Sequence, residues 1–206
     1  MNCVLIQANG NNVRLGKYFK QPKYELFYKN KRIIEHIIEN SVNSGCDVYL
    51  AIRKNSKIKF NTDNINIIYC EKTNTRAETL KQCFSYLTNY DSVIIHDCDV
   101  IIETEILKKL KDNSLAVTNY KFDGLKYGFI DLDSNFKYIK GNEKIKEEAY
   151  ITIGAYCVSN YQFSKYLEDY NFDTLIDYYN IIDKKNIVFS KKHINLGDIN
   201  SYFDNL

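Results

Sequence analysis

Apolar positions in the first 120 residues follow two alternating rhythms. Short runs rich in Val, Ile, Leu and Tyr, each bounded by turn-forming residues, occupy 3–8, 47–52, 64–69, 92–96 and 115–119. Runs of that length and composition read as strands. Between them, Ile33, Ile34, Ile37, Ile38 and Val42 recur at helical spacing over 32–44, a pattern that stops before Gly45. Ala77, Leu80, Phe84 and Leu87 do the same over 75–87, and 104–110 makes a shorter third helix. Strand and helix in alternation predict parallel strands with helices on both faces. Ligands of such sheets gather at the carboxyl ends of the strands. The loop over 9–23 and the residues after His96 are therefore expected to share one crevice.

The second half changes rhythm. Segments 127–133, 136–140 and 149–159 read as strands joined by short turns, which adds up to a mixed sheet. Helical pieces follow at 161–169 and 172–181, then a short strand at 186–190 and the tail HINLGDINSYFDNL. Without a linker, an internal repeat or a low-complexity stretch, residues 1–206 are expected to form one α/β domain, with a ligand-binding half at 1–120 and a second-substrate half at 121–206.

Composition narrows the function. At 45% hydrophobic and 26% charged the chain is an ordinary packed protein rather than a disordered one. Lys and Arg number 28 against 26 Asp and Glu, so nothing marks a general nucleic-acid binder. No apolar run approaches the ~20 residues that span a membrane. The opening MNCVLIQA has no basic region and reads as a core strand rather than a signal peptide, which points to a cytoplasmic protein. Cys3, Cys46, Cys70, Cys83, Cys98 and Cys157 form no C-x-x-C pair and sit in or beside apolar runs, so they read as buried, reduced thiols.

Three stretches carry candidate chemistry. After the first strand, ANGNNVRLGKYFKQPK places Gly and Asn where backbone N–H groups can cradle an anion, with Arg14 as a planar fork and Lys23 as a mobile point charge. The residues alone read equally as a solvated loop. In VIIHDCDVII, Asp97 and Asp99 interrupt an apolar run, a spacing that suits a hard divalent ion, or else the cap of the helix near Thr104. KTNTRAETLKQC opens a helix with Asn74 or Thr75 as N-cap.

Taken together, these stretches resemble the sugar nucleotidyltransferases. Ala8-Asn9-Gly10-Asn11-Asn12-Val13-Arg14-Leu15-Gly16 matches the family's A-[AG]-G-x-G-x-R-[LM]-G, with Pro22-Lys23 as its following P-K pair, and Asn12 standing where the family has its second glycine. FYKNKRIIEHIIENSVNSG matches the next segment in placement and pattern. Glu143-Lys144 precede the Gly154 strand at the family's interval, and INLGDINSYFD resembles its closing motif, with Asn195 at the position of the family's Asp. By itself, KGNEKIKEE is also an exposed charge run.

The resemblance implies a Rossmann-like, GT-A-like nucleotide-diphospho-sugar transferase fold, with a mixed, mostly parallel sheet flanked by helices. It implies an Mg²⁺-dependent enzyme that joins a nucleoside triphosphate to a phosphorylated small molecule, a sugar 1-phosphate first among candidates, and releases pyrophosphate. Arg14 and Lys23 would be catalytic, and Ala8, Asn9, Gly10, Asn12, Thr75 and Arg76 would line the nucleotide. Glu143, Lys144 and Gly154 would hold the sugar and its phosphate. The metal would sit on Asp99 or Asp97, completed by Asn195 or by Asp198 in a shifted register. The chain's short length points to CTP or UTP, and family habit to precursors of surface polysaccharide or capsule. A GT-A glycosyltransferase acting on a nucleotide sugar and a catalytically silent nucleotide-sugar-binding module remain the alternative readings.

Overall fold

The computed structural model of the chain describes residues 2–10, 19–56, 64–123, 128–143, 148–172, 174–197 and 202. Strand β1 (Asn2–Gln7) leads, by way of a 3-10 turn at Lys23–Glu25 and a small hairpin of β2 (Phe27–Tyr28) and β3 (Lys31–Arg32), into α1 (Ile33–Asn43). Next come β4 (Asp47–Arg53), β5 (Asn66–Cys70), α2 (Arg76–Phe84), β6 (Ser92–Asp97), β7 (Val100–Ile102) and α3 (Thr104–Lys109). The second half holds β8 (Ser114–Asp123), β9 (Gly128–Leu132), β10 (Tyr138–Glu143) and β11 (Glu148–Ser159). It ends with α4 (Asn160–Asp169), α5 (Ile176–Ile181), β12 (Asn186–Ser190) and β13 (His193–Asn195).

The alternation of the first half produces four parallel strands in the order β6-β1-β4-β5. Side-chain alternation along β1 splits the core in two. Val4 and Ile6 pack with Ile33, Ile34 and Ile37 of α1 on one face. Cys3 and Leu5 pack with Leu80 and Phe84 of α2, Phe163 of α4 and Tyr178 and Tyr179 of α5 on the other. Strand neighbours point to opposite faces, so a one-residue slip of β1 would exchange the two cores. Each fully buried Leu or Ile contributes on the order of 1.5–3 kcal/mol relative to exposure.

Strand β11 joins the halves. Along one flank it runs antiparallel to β6 from Ala155 to Ser159 and to β9 at Tyr150 and Ile151, and along the other it runs antiparallel to β8. Its register against β8 shifts between Thr152 and Tyr156, where Gly154 takes φ +77°. A glycine in the left-handed region inside a strand is the mark of a bulge, which re-aims the neighbouring side chains. Strand β12 extends β8 in parallel, and β10 closes the far edge against β9.

That edge is covered in an unusual way. The Asn180 amide accepts from the Gly141 N–H at 2.8 Å and donates to the Gly141 carbonyl at 3.0 Å, so one side chain of α5 stands in for the next strand. Only glycine fits at 141, because a Cβ there would lie 2.4 Å from Ile176 Cγ2 and 2.6 Å from the Tyr138 hydroxyl.

Some boundaries differ from the sequence pattern. Helix α2 ends at Phe84, where the 75–87 periodicity runs on to Leu87, and α5 begins at Ile176 rather than at 172. The apolar run over 93–102 is two strands, not one: Cys98 and Asp99 form a turn, and β7 leaves the main sheet to pair antiparallel with β13. Continuous hydrophobicity conceals such a break because both pieces are buried. All six cysteines are free thiols, five of them buried, as their apolar settings predict. Among the described residues no helix is long and apolar enough to cross a membrane.

Candidate active site

Strands β1 and β6 end side by side, with Gln7 opposite Asp97 in the parallel register. Helix α2 begins beside them. Its N-cap is Thr75, whose hydroxyl accepts from the Glu78 N–H while the Glu78 carboxylate returns to the Thr75 N–H, a reciprocal capping box. The crevice so formed holds a cavity of about 430 Å³ lined by Gln7, Asn9, Gly10, Lys23, Thr73, Asn74, Thr75, Arg76, Thr79, Asp97, Cys98 and Asp99. A second cavity of about 180 Å³ lies against the first and shares Arg76, Asp97 and Asp99 with it. Its remaining wall comes from Gly128, from Ile151 to Gly154 and Tyr156 of β11, and from Val100, His193, Asn195 and Gly197.

Two ion pairs stand at the junction. Lys23 Nζ binds Asp99 Oδ2. Arg76 Nη2 donates to Asp97 Oδ1 at 2.6 Å, and Arg76 Nε donates to Gln7 Oε1 at 2.7 Å. Burial disfavours the charged guanidinium, but Asp97, Tyr156 and Asp99 together outweigh it and hold the Arg76 pKa above its ordinary value. These four side chains sum to no net charge. Neither aspartate caps α3, whose N-cap is Glu103.

Two glycines make room for the carboxylates. A Cβ on Gly154 would lie 2.9 Å from Asp97 Oδ2, and one on Gly197 would lie 2.6 Å from Asp99 Oδ2 and 3.1 Å from Asn195 Oδ1. Asp99 and Asn195 therefore bring a carboxylate oxygen and an amide oxygen to one point beside Gly197, with the Leu196 N–H donating to the Asp99 carbonyl at 2.8 Å. Hard oxygen donors of this kind suit Mg²⁺, which completes its shell with water and phosphate oxygens. Among the described residues no three His, Cys, Asp or Glu side chains converge so as to hold a metal ion by themselves, so the donor set fits an ion shared with a phosphate ligand rather than a closed protein cage.

The other predicted residues are placed as follows. Ala8 is buried, and its N–H donates to the Ala51 carbonyl at 2.9 Å, which holds the start of the loop against β4. Asn9 donates to the Glu71 carbonyl and to Thr79 Oγ1, both at 3.4 Å, while its buried Oδ1 meets no hydrogen-bond partner among the described residues. Gly10 opens onto the larger cavity. Glu143 ends β10 opposite Gly128. Arg14, Asn12, Lys144 and Asp198 lie outside the described residues.

Sequence reasoning passed over Gln7, Thr73, Thr79, Thr152, Tyr156 and His193, all of which line one of the cavities. Gln7 had a usable signal, as the polar last residue of an apolar strand that opens a candidate loop. Two groups in the area are chemically quiet. Burial pushes the Cys98 thiol up to about 12, so it stays protonated. Burial lowers the His96 pKa, and its Nδ1 lies 2.7 Å from the Asp97 carbonyl, which can only accept, so Nδ1 carries the proton.

No family model matches the sequence, and no curated protein matches it. Solved structures match over the whole chain. One is a Bacillus anthracis protein described as a glucose-1-phosphate thymidylyltransferase, solved in complex with sucrose, at a TM-score of 0.82 and 16% identity over 100% of this chain and 94% of that one. HddC from Yersinia pseudotuberculosis superposes at 0.74 with 20% identity over 100% and 98% of the two chains. Its complex with GMP-PN superposes at 0.73, with the same identity and coverage. At such identities the likeness is one of fold, and the chain has the Rossmann-like nucleotide-diphospho-sugar transferase fold that its sequence resemblance implies.

Proposed function

We propose that this chain is a nucleotidyltransferase that couples a nucleoside triphosphate to a phosphorylated small molecule, a sugar 1-phosphate first among candidates, with release of pyrophosphate. One observation carries the reading. Two cavities of unequal size meet at a wall of paired charges, with Lys23 on Asp99 and Arg76 on Asp97. The larger cavity, lined in part by Asn9 and Gly10, suits the nucleotide, and the smaller suits the acceptor.

In the reaction an acceptor phosphate oxygen forms a bond to the α-phosphorus, and the bond from that phosphorus to the bridging oxygen breaks. Such a displacement needs positioning and charge stabilisation more than covalent help from the protein. Lys23 is a mobile cation at the junction, and it can exchange Asp99 for a phosphate oxygen as the nucleotide enters. Arg14 is assigned to the β- and γ-phosphates by resemblance. Asp99 and Asn195 would hold Mg²⁺, which when bound supplies positive charge to the phosphates. Thr75 and its capping box fix the helix wall of the nucleotide cavity. Gly154 keeps the acceptor wall clear of a side chain beside Asp97. CTP or UTP as donor, and surface-polysaccharide precursors as product, complete the proposal.

The test is pyrophosphate release from each nucleoside triphosphate, with Mg²⁺ and a panel of sugar 1-phosphates, by wild type and Lys23→Ala. Expected is release with at least one pair of substrates and a loss of about a thousandfold in the variant. Nucleotide binding without release favours a silent binding module, and turnover of a nucleotide sugar instead favours a glycosyltransferase.

A further inference from the structure

The smaller cavity has an anionic wall. Asp97 and Asp99 both line it, and among its described residues Arg76 is the one lysine or arginine. A phosphorylated ligand entering there meets two carboxylates unless a cation stands in front of them.

Arg76 is built to stand there. Its Nε is tied to Gln7 and its Nη2 to Asp97, which neutralises one of the two acids. Its Cζ lies 5.6 Å from the centroid of the Tyr156 ring, a residue that lines the smaller cavity and not the larger. These contacts anchor one edge of the guanidinium, and Nη1 makes no hydrogen bond to any described residue. A planar fork anchored on one edge and open on the other is pre-organised for phosphate oxygens.

We propose that Arg76 is the phosphate-binding residue of the acceptor cavity, its open edge taking the phosphate of the second substrate while Gln7 and Tyr156 hold it in place. The identity of that substrate rests on the nucleotidyltransferase reading. The proposal departs from the resemblance, which laid Arg76 along the nucleotide base and gave the acceptor phosphate to Lys144.

The experiment uses the full chain and two probes, glucose 1-phosphate and inorganic phosphate, each titrated calorimetrically into wild type, Arg76→Gln and Arg76→Lys, beside Mg²⁺ with a nucleoside triphosphate. Expected for Arg76→Gln is a loss of about tenfold to hundredfold in affinity for the better-bound probe, the range for removing a charge-assisted hydrogen bond. Nucleotide affinity is expected to fall by a clearly smaller factor, since Arg76 also lines the larger cavity. Arg76→Gln strips Asp97 of its partner, so thermal melting checks its fold. Arg76→Lys keeps the charge and loses the fork, and a loss of about threefold to tenfold is expected of it even if the Gln variant does not fold. Unchanged probe affinity in the folded variants, an equal loss for the nucleotide, or a wild type that binds neither probe overturns the proposal. A wild type that binds phosphate through Arg76 but binds no nucleoside triphosphate overturns the nucleotidyltransferase reading and leaves the phosphate site standing.

Discussion

The two cavities that meet at Arg76 have walls of different origin. The larger is made where parallel strands stop: Gln7 ends β1, Asp97 ends β6, and the capped start of α2 supplies Thr75 and Arg76. The smaller is made where strands depart from regularity, by the Gly154 bulge in β11 and by the β7–β13 pair that carries Asn195 to Asp99. The first wall follows from the general architecture of an α/β sheet, whose ligands collect at the carboxyl ends of its strands. The second depends on backbone positions particular to this chain. The nucleotide side should therefore tolerate change in its scaffold and fail on loss of a charge, while the acceptor side should fail on the addition of a single methyl group.

The sharpest test of that contrast pairs Lys23→Ala with Gly154→Ala. Lys23→Ala is expected to cut turnover about a thousandfold in a steady-state assay, with a lowered melting temperature because the ion pair to Asp99 is lost. Gly154→Ala forces a Cβ to within 2.9 Å of Asp97 Oδ2 at φ +77°, so it is expected to cost about 2–3 kcal/mol in chemical denaturation. In steady-state kinetics of the same variant the acceptor KM should rise while the nucleotide KM holds. A raised nucleotide KM with an unchanged acceptor KM would reverse the assignment of the cavities.

Thr75→Ala removes the N-cap of α2 and should cost about 1 kcal/mol by denaturation, with a loss of nucleotide affinity larger than any loss of acceptor affinity. The smallest expected effect is one of pH. Burial depresses the His96 pKa, so the unfolded chain binds a proton that the folded chain refuses once the pH falls below about 6.5. Stability is accordingly expected to fall as the pH drops through that value towards the folded pKa. Thermal melts from pH 8 to 5 should show a shallower decline in His96→Gln.

The parallel half was legible in the sequence because its signals are local. Short continuous apolar runs made β1, β4 and β6, Gly45 ended α1's pattern, and Thr75 with Glu78 announced the start of α2. The association of the opening loop with the Asp97–Asp99 pair followed from topology, and Lys23 does reach Asp99 across 76 residues of sequence. What escaped were contacts set by tertiary packing. Nothing in RAETL says that Arg76 turns to Gln7, 69 positions earlier, or to Tyr156 on β11. The break at Cys98–Asp99 was hidden because apolar residues continue on both sides of it, and the pairing that sends β7 away from the sheet comes from β13, almost a hundred residues later.

The Asn180 clasp on Gly141 bears on how this protein meets copies of itself. An outermost strand with free amides and carbonyls invites a strand from another molecule, and at Gly141 both groups are already taken by a side chain from the same molecule. Exchanging Asn180 for leucine would reopen that margin, and self-association of the variant, absent from the parent at the same concentration, would report it.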